Sequence, residues 1–324
     1  MKPVIRVAVF AAALGVASAV TPYVADAHAA EIRAASCFPK GSFFSRRFEM
    51  ILADLQKAGV KIKYLGGAPA IGSPFTLVQK MSRGAFDLVS CTGAYYGNVL
   101  PEADAIKMFE VSPAESRQNG SFDYVAKLHR EKNMEYLGRI HSAEKFHLYL
   151  GKGKSISKPD LSGLNLRTAP IYRAFFESLG ATTQRSNLAQ IYTYMENGTV
   201  AGYGWPVTGL LPDWHKVTAY RVDPGFYQAD INMLFNARAF DKLSDQDKAA
   251  IARVVIAWED KGYELGQQDS VKALAAQEAK GIKPIRFSAE QEAAWSKQAR
   301  DAGWASIIET SPQHGKKLRE LMSK

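Results

Sequence analysis

The stretch LNLRTAPIYRAFFESLGA, residues 164–181, sets one guanidinium, Arg167, at the end of a short apolar run and follows it at once with a helix begun by Pro170. A guanidinium offers paired donors that match the two oxygens of a carboxylate, so this placement suits bidentate capture of an organic acid. The helix start behind it adds a favourable dipole end for an anion. The same arginine could instead pair with a neighbouring acid or stay solvated, and placement alone leaves these alternatives open. Groups for covalent chemistry are scarce around it. The six histidines show no metal-ligand spacing, no histidine stands in a partner motif for either cysteine, and there is no G-x-S-x-G elbow. No catalytic residue, metal site or cofactor is read, and a hydrolase would need a nucleophile with a base that these segments do not supply.

The elements that must position Arg167 alternate between strand and helix. EIRAASCF reads as a strand, and SFFSRRFEMILADLQKAG places Phe44, Phe48, Ile51, Leu52 and Leu55 at helical spacing. VKIKYLGG alternates as a strand, SPFTLVQKMSRGA is a helix capped by Ser73 with Pro74 in its first turn, and FDLVSC is a third strand. This βαβαβ order implies a parallel sheet with helices on its faces. The pattern restarts near Ser157, with a strand ending at Arg167, helices PIYRAFFESLGA and AQIYTYMENGT, a short strand VAGYGW and a returning strand ADINMLFNAR. A long helix over residues 244–281 would run about 50 Å at 1.5 Å per residue and lie across both parts. Gly262 and Gly266 are the places where it could break.

The expected fold is therefore α/β and two-lobed, with a central cleft and a bridging helix. Residues 1–29 read as an export signal, with Lys2 and Arg6 before an apolar run and a small-x-small cut near Ala29. Lobe 1 is expected over 30–153 with 239–275 returning to it, and lobe 2 over 154–238 with 276–324. Removing two cations and one anion with the signal takes the formal charge from +9 to +8, which suits an anionic small molecule. The basic residues are scattered rather than clustered, so nucleic acid is not expected as a partner. Cys37 and Cys91 both lie late in strands, and in an oxidising compartment they could form a disulfide or stand as two small buried apolar residues.

Open parallel sheets bind ligands beyond the carboxyl ends of their strands. The segments arriving there are CFPKGSFF, CTGAYYG, RTAPIYR and GYGWPVTG, which are rich in aromatics and poor in acid–base groups. That balance favours binding over chemistry.

Residues 158–206, with KPDLSGLNLRTAPIYRAFFESLGAT and AQIYTYMENGTVAGYGWP, together with NARAFDKLSDQDKAAI at 236–251, resemble in order and spacing the solute-binding proteins of tripartite ATP-independent periplasmic (TRAP) transporters, of the dicarboxylate-binding-protein type. The family runs there as DL.GLKIR, YR..LEALGA, EVYTALQTG and VDGQENP, and its LLEQVQLGTIDMAVVSSG is similar to LVQKMSRGAFDLVSCTGAYYG here. The resemblance implies a two-lobed periplasmic-binding-protein fold, type II-like, in a periplasmic receptor that closes on a small organic acid and delivers it to membrane permease subunits, with Arg167 at the position that bonds the ligand carboxylate. Receptors for other organic anions, such as a dicarboxylate or keto acid, and for an ATP-driven importer are the neighbouring readings.

Departures from the family pattern shift the expected ligand. The asparagine of GQENP is replaced by Trp205, Asn187 stands beside Leu188 where the family has an aromatic, and the second basic residue falls near Phe146, flanked by Lys145 and His147. One carboxylate anchor with rings from Tyr95, Tyr172, Trp205 and Phe43 suggests an aromatic or apolar monocarboxylate, with Asn232 and Lys145 as further polar contacts. Nothing in the sequence demands a dimer, and a monomer is expected.

Overall fold

A computed structural model describes residues 31–186 and 188–323. The expected export signal and Asn187 lie outside the described residues. The chain opens as read: β1 (Ile32–Ser36), α1 (Phe43–Lys57), β2 (Ile62–Gly67), α2 (Pro74–Ser82) and β3 (Leu88–Cys91). Helix α1 buries Phe48, Ile51, Leu52 and Leu55 against the sheet, the face its spacing assigned to the core. Two short helices, α3 (Pro113–Gln118) and α4 (Ser121–Arg130), then lead into the 17-residue β4 (Met134–Leu150). The second part comprises β5 (Asn165–Thr168), α5 (Pro170–Ser178), β6 (Thr182–Arg185), α6 (Ile191–Glu196), β7 (Gly202–Pro206), β8 (Tyr220–Asp223) and β9 (Gln228–Asn236). The chain closes with α7 (Ala237–Asp241), α8 (Asp245–Ala279), β10 (Lys283–Arg286), α9 (Ala289–Thr310) and α10 (Pro312–Met322).

The strands run β2-β1-β3-β9-β4-β7-β5-β6, with β8 beside the far end of β4 and β10 outside β8. Strand β4 belongs to both halves: Met134–Lys145 pairs antiparallel with β9, and Phe146–Leu150 pairs antiparallel with β7. Its ladder is interrupted around Gly138, His141 and Glu144, where Ala143 adopts a left-handed φ of 65°. The strand therefore turns as it passes from one lobe to the other.

Two parts of the expected lobe division change. Strand β9, assigned by sequence to the second lobe, pairs with β3 and the first stretch of β4, because its apolar residues Ile231, Met233 and Phe235 complete the core under α1 and α8. Helix α10 packs on α4 and on the 3-10 segment Pro101–Met108 of the first half, where Glu110 N donates to Met322 O at 2.9 Å.

Helix α8 is unbroken over 35 residues, about 52 Å at 1.5 Å per residue. Ser244 caps it by accepting from Asp247 N at 3.0 Å. The two glycines do not interrupt the helix; they let it touch β4. A Cβ at Gly262 would strike the Ile140 carbonyl, and one at Gly266 the Ser142 carbonyl. Beyond that contact the helix reaches the second half, where Gln277 Nε2 donates to Tyr149 Oη at 3.1 Å and to the Val207 carbonyl at 2.6 Å. Cys37 and Cys91 form a disulfide across the ends of neighbouring strands, with Cα atoms 5.0 Å apart.

Candidate ligand site

Strand β5 alternates: Leu166 is buried in the core and Arg167 takes the other face, one residue before the strand ends. Arg167 is only 5% exposed, yet among the described residues no carboxylate lies within ion-pair distance of it. Its guanidinium is held by neutral groups. Nη1 donates to Tyr172 Oη at 2.7 Å and Nη2 to the Ser186 carbonyl at 2.7 Å. Tyr172, in the first turn of α5, passes its own hydrogen to the Gly204 carbonyl at 2.7 Å. Gly204 has no alternative here, since a Cβ would stand 2.6 Å from the Tyr172 ring. Ring and strand thus pack face to face, and the phenol links β5, α5 and β7.

Across from this arginine stands the first-half wall. Tyr95 ends a 3-10 turn that follows β3; burial pushes its phenol up, and the charge of Arg167 opposes this. Phe75, from the start of α2, packs 4.8 Å from the Tyr95 ring, and Phe38, just past β1, lies 5.8 Å from it. Phe38 in turn contacts Phe44 at 5.4 Å, and Phe44 meets Trp205 of β7 at 6.3 Å, edge to face. The rings therefore form a continuous path from Trp205 to the side of Arg167. The Trp205 indole N–H is buried without a hydrogen-bond partner among the described residues, and Trp214 supports its ring from behind at 5.0 Å.

Of the sequence-selected residues, Arg167, Tyr95, Trp205 and, at the edge, Phe43 lie along this path, whereas Tyr172 is buried in the core and braces Arg167 from behind. Phe43 packs edge-on against His141 and Phe44, whereas Phe44 is the ring that faces Trp205. Sequence reading gave Phe44 to the helix core; it sits at the first turn of α1, where a residue can point past the helix end toward the cleft. Phe38 and Phe75 were also missed, although each follows a strand end or opens a helix, which is where cleft residues concentrate.

Residues 60–310 match the model of the bacterial extracellular solute-binding protein family 7. The chain belongs to that family. Solved structures of the same fold include a TRAP periplasmic solute binding protein from Desulfovibrio salexigens with bound orotic acid, at 16% identity and TM-score 0.77, covering 90% of this chain and 97% of that one. One from Rhodoferax ferrireducens with bound malonate is 17% identical at TM-score 0.75, covering 90% and 96%. An apo open structure from Marinobacter aquaeolei is 16% identical at TM-score 0.77, covering 91% and 100%.

Within this family 7 chain, two selected residues are placed elsewhere. Asn232 is fully buried inside the first half and its amide is committed: Oδ1 accepts from Tyr136 Oη at 2.9 Å, and Nδ2 donates to Asp230 Oδ2 at 2.6 Å. It is paired with Cys91 across the β3–β9 ladder and buried in the first half. Lys145 is exposed and lines a shallow recess with Lys107, Phe226, Tyr227 and Arg300. Its neighbour His147 is no free cation either, because Nδ1 lies 3.0 Å from both the Val222 carbonyl and Asp223 Oδ1. Burial works to raise the Asp223 carboxyl, but hydrogen bonds from His147 and Arg221 prevail and bring it down to about 2. Among the described residues no group of acidic, histidine or cysteine side chains could hold a metal, and no helix is long and apolar enough to cross a membrane.

Proposed function

We propose that this chain is the periplasmic receptor of a TRAP transporter, exported with removal of residues 1–29, which captures an organic monocarboxylate and hands it to membrane permease subunits. It works as a monomer, without cofactor, and binds its solute rather than converting it. The observation that carries this reading is a buried guanidinium braced by neutral partners, Tyr172 Oη and the carbonyl and hydroxyl of Ser186, with no carboxylate paired to it among the described residues. Such a cation is costly to bury unless an anion joins it. The family match and the acids named for two proteins of the same fold, orotic acid and malonate, support an anionic solute.

The aromatic path through Trp205, Phe44, Phe38 and Tyr95 supports a solute with a flat or apolar body, since rings bury area at low entropic cost and favour edge or offset contacts. Among the described residues Arg167 is the buried arginine whose charge acts on Tyr95, whereas Arg185, over the Phe75 ring at 5.7 Å, is exposed; one buried guanidinium favours one carboxylate over two. Closure requires the solute to bind the closed state better than the open one. Native mass spectrometry of the protein as isolated tests the reading: a co-purified aromatic monocarboxylic acid is expected. Stripping that acid by unfolding and refolding, then titrating dicarboxylates and aromatic monocarboxylates by calorimetry, gives the ranking. Tighter binding of dicarboxylates would sink the proposed solute class, and turnover of any hit would sink the receptor assignment.

A further inference from the structure

We infer that the Cys37–Cys91 disulfide is a positioning element of the ligand site, holding the first-half aromatic wall in place opposite Arg167; this rests on the binding reading above. The bond is not needed to join its strands. β1 and β3 are already paired through Ser36 and Ser90, and Cys37 N donates to the Ser90 carbonyl at 2.8 Å. What the disulfide fixes is the chain just beyond. Phe38 is the next residue after Cys37, and the segment from there reaches Phe44 at the start of α1. Tyr95 comes four residues after Cys91.

These two departing segments supply three of the rings in the cleft, and they meet each other through Phe38 and Tyr95 at 5.8 Å. Their other ties hold each segment separately: Ser45 Oγ donates to the Pro39 carbonyl at 2.7 Å and Gly41 N to Glu49 Oε1 at 2.8 Å in the first, and Tyr96 Oη meets His129 Nε2 at 3.1 Å in the second. Phe38 N donates to Ser36 Oγ at 3.1 Å, and Gly93 N reaches Asp230 Oδ2 at 3.3 Å. Both sulfurs are buried in the apolar core under the sheet, so the covalent link anchors the wall from beneath, out of contact with solvent. Without it, each segment would hinge at its strand end, and the Phe44 ring would no longer be fixed against Trp205.

Two readouts on the full mature chain test this without any solute, so their failure is separate from failure of the carboxylate reading, which acid titration decides. In the double variant Cys37→Ala/Cys91→Ala, amide hydrogen exchange over residues 38–44 and 92–96 should quicken at least tenfold while β5, β7 and α8 keep their rates. The fluorine resonance of 5-fluorotryptophan at Trp205, assigned with Trp205→Phe, should shift while those of Trp295 and Trp304 stay. The volume-restoring pair Cys37→Val/Cys91→Ala is measured alongside, in case the smaller residues compromise folding. Exchange that quickens equally across the whole chain, as for a general staple, or a wall and Trp205 resonance that do not change, would overturn the inference.

Discussion

Arg167 Nη1 and the Gly204 carbonyl are joined through a single phenol, Tyr172 Oη, which accepts from the first and donates to the second at 2.7 Å each. This relay orients the guanidinium before any solute arrives, which lowers the cost of binding. Replacing Arg167 by Ala should weaken the cognate acid ten- to hundredfold, the range for a hydrogen bond to a charged group at about 1.5–3 kcal/mol. Arg167→Lys should recover only part of this, because an ammonium lacks the fork. Titration calorimetry gives both numbers, and unchanged affinity in Arg167→Ala would remove the central assignment.

Trp205 tests the solute class. Replacing it by Asn restores the residue type that the family pattern carries there, and removes the ring that meets Phe44 at 6.3 Å. An aromatic acid should lose more affinity than an aliphatic acid of similar size, by about three- to tenfold, since ring pairs contribute about 0.5–1.5 kcal/mol beyond burial. The opposite ranking in paired titrations would argue for an aliphatic solute.

Much of this was legible in the sequence, and what was not has a common cause. Local patterns fixed β5 with Arg167, the Pro170 helix start and the Ser244 cap, because each depends on a few adjacent residues. Side-chain facing in shared strands depends on pairing that local pattern does not reveal. Asn232 looked available in an apolar strand, but the antiparallel pairing of β9 with β3 turns it inward to Asp230. Lys145 read as a further polar contact, but the crossing of β4 places it on the outside. Phe43 and Phe44 are adjacent, and it is Phe44 that meets Trp205 and packs closer to Gly209, a tertiary contact that local pattern does not reveal.

The buried polar group behind the Tyr95 turn should shape the pH dependence of stability. Burial raises Asp230 from its ordinary 3.8 to about 6, against hydrogen bonds from Gly93 N and Asn232, while burial lowers His129 from 6.5 to about 4. For Asp230 the folded value is the higher one, so its contribution is fully present below pH 3.8 and is lost as pH rises toward 6. For His129 the folded value is lower, so stability is present above 6.5 and is lost as pH falls through 4. At 1.36 kcal/mol per pKa unit, Asp230→Asn should gain up to about 3 kcal/mol on the wild type between pH 4 and 6. Urea unfolding at half-unit steps measures the difference, and a flat difference would show that Asp230 does not titrate in that window.

The two glycines of α8 give a test whose sign opposes helix propensity. Alanine is the better helix former by about 1 kcal/mol, so on a free helix Gly262→Ala or Gly266→Ala would stabilise. Here each new Cβ is driven into a β4 carbonyl, of Ile140 or Ser142, beside the turn at Ala143. A carbonyl oxygen in a paired strand cannot swing aside as a flexible side chain can, so the helix must lift from the strand. Overpacking of this kind costs about 1–3 kcal/mol, and the lifted helix also loses the Ser270 hydroxyl contact to the Ala143 carbonyl at 3.5 Å. Each variant should therefore be destabilised by about 1–3 kcal/mol in urea unfolding, while Val271→Ala, on the exposed face of the same helix, should stay within about 0.5 kcal/mol. Stabilisation by either glycine replacement would mean that α8 does not press on the crossing strand, and that the two lobes are not coupled through it.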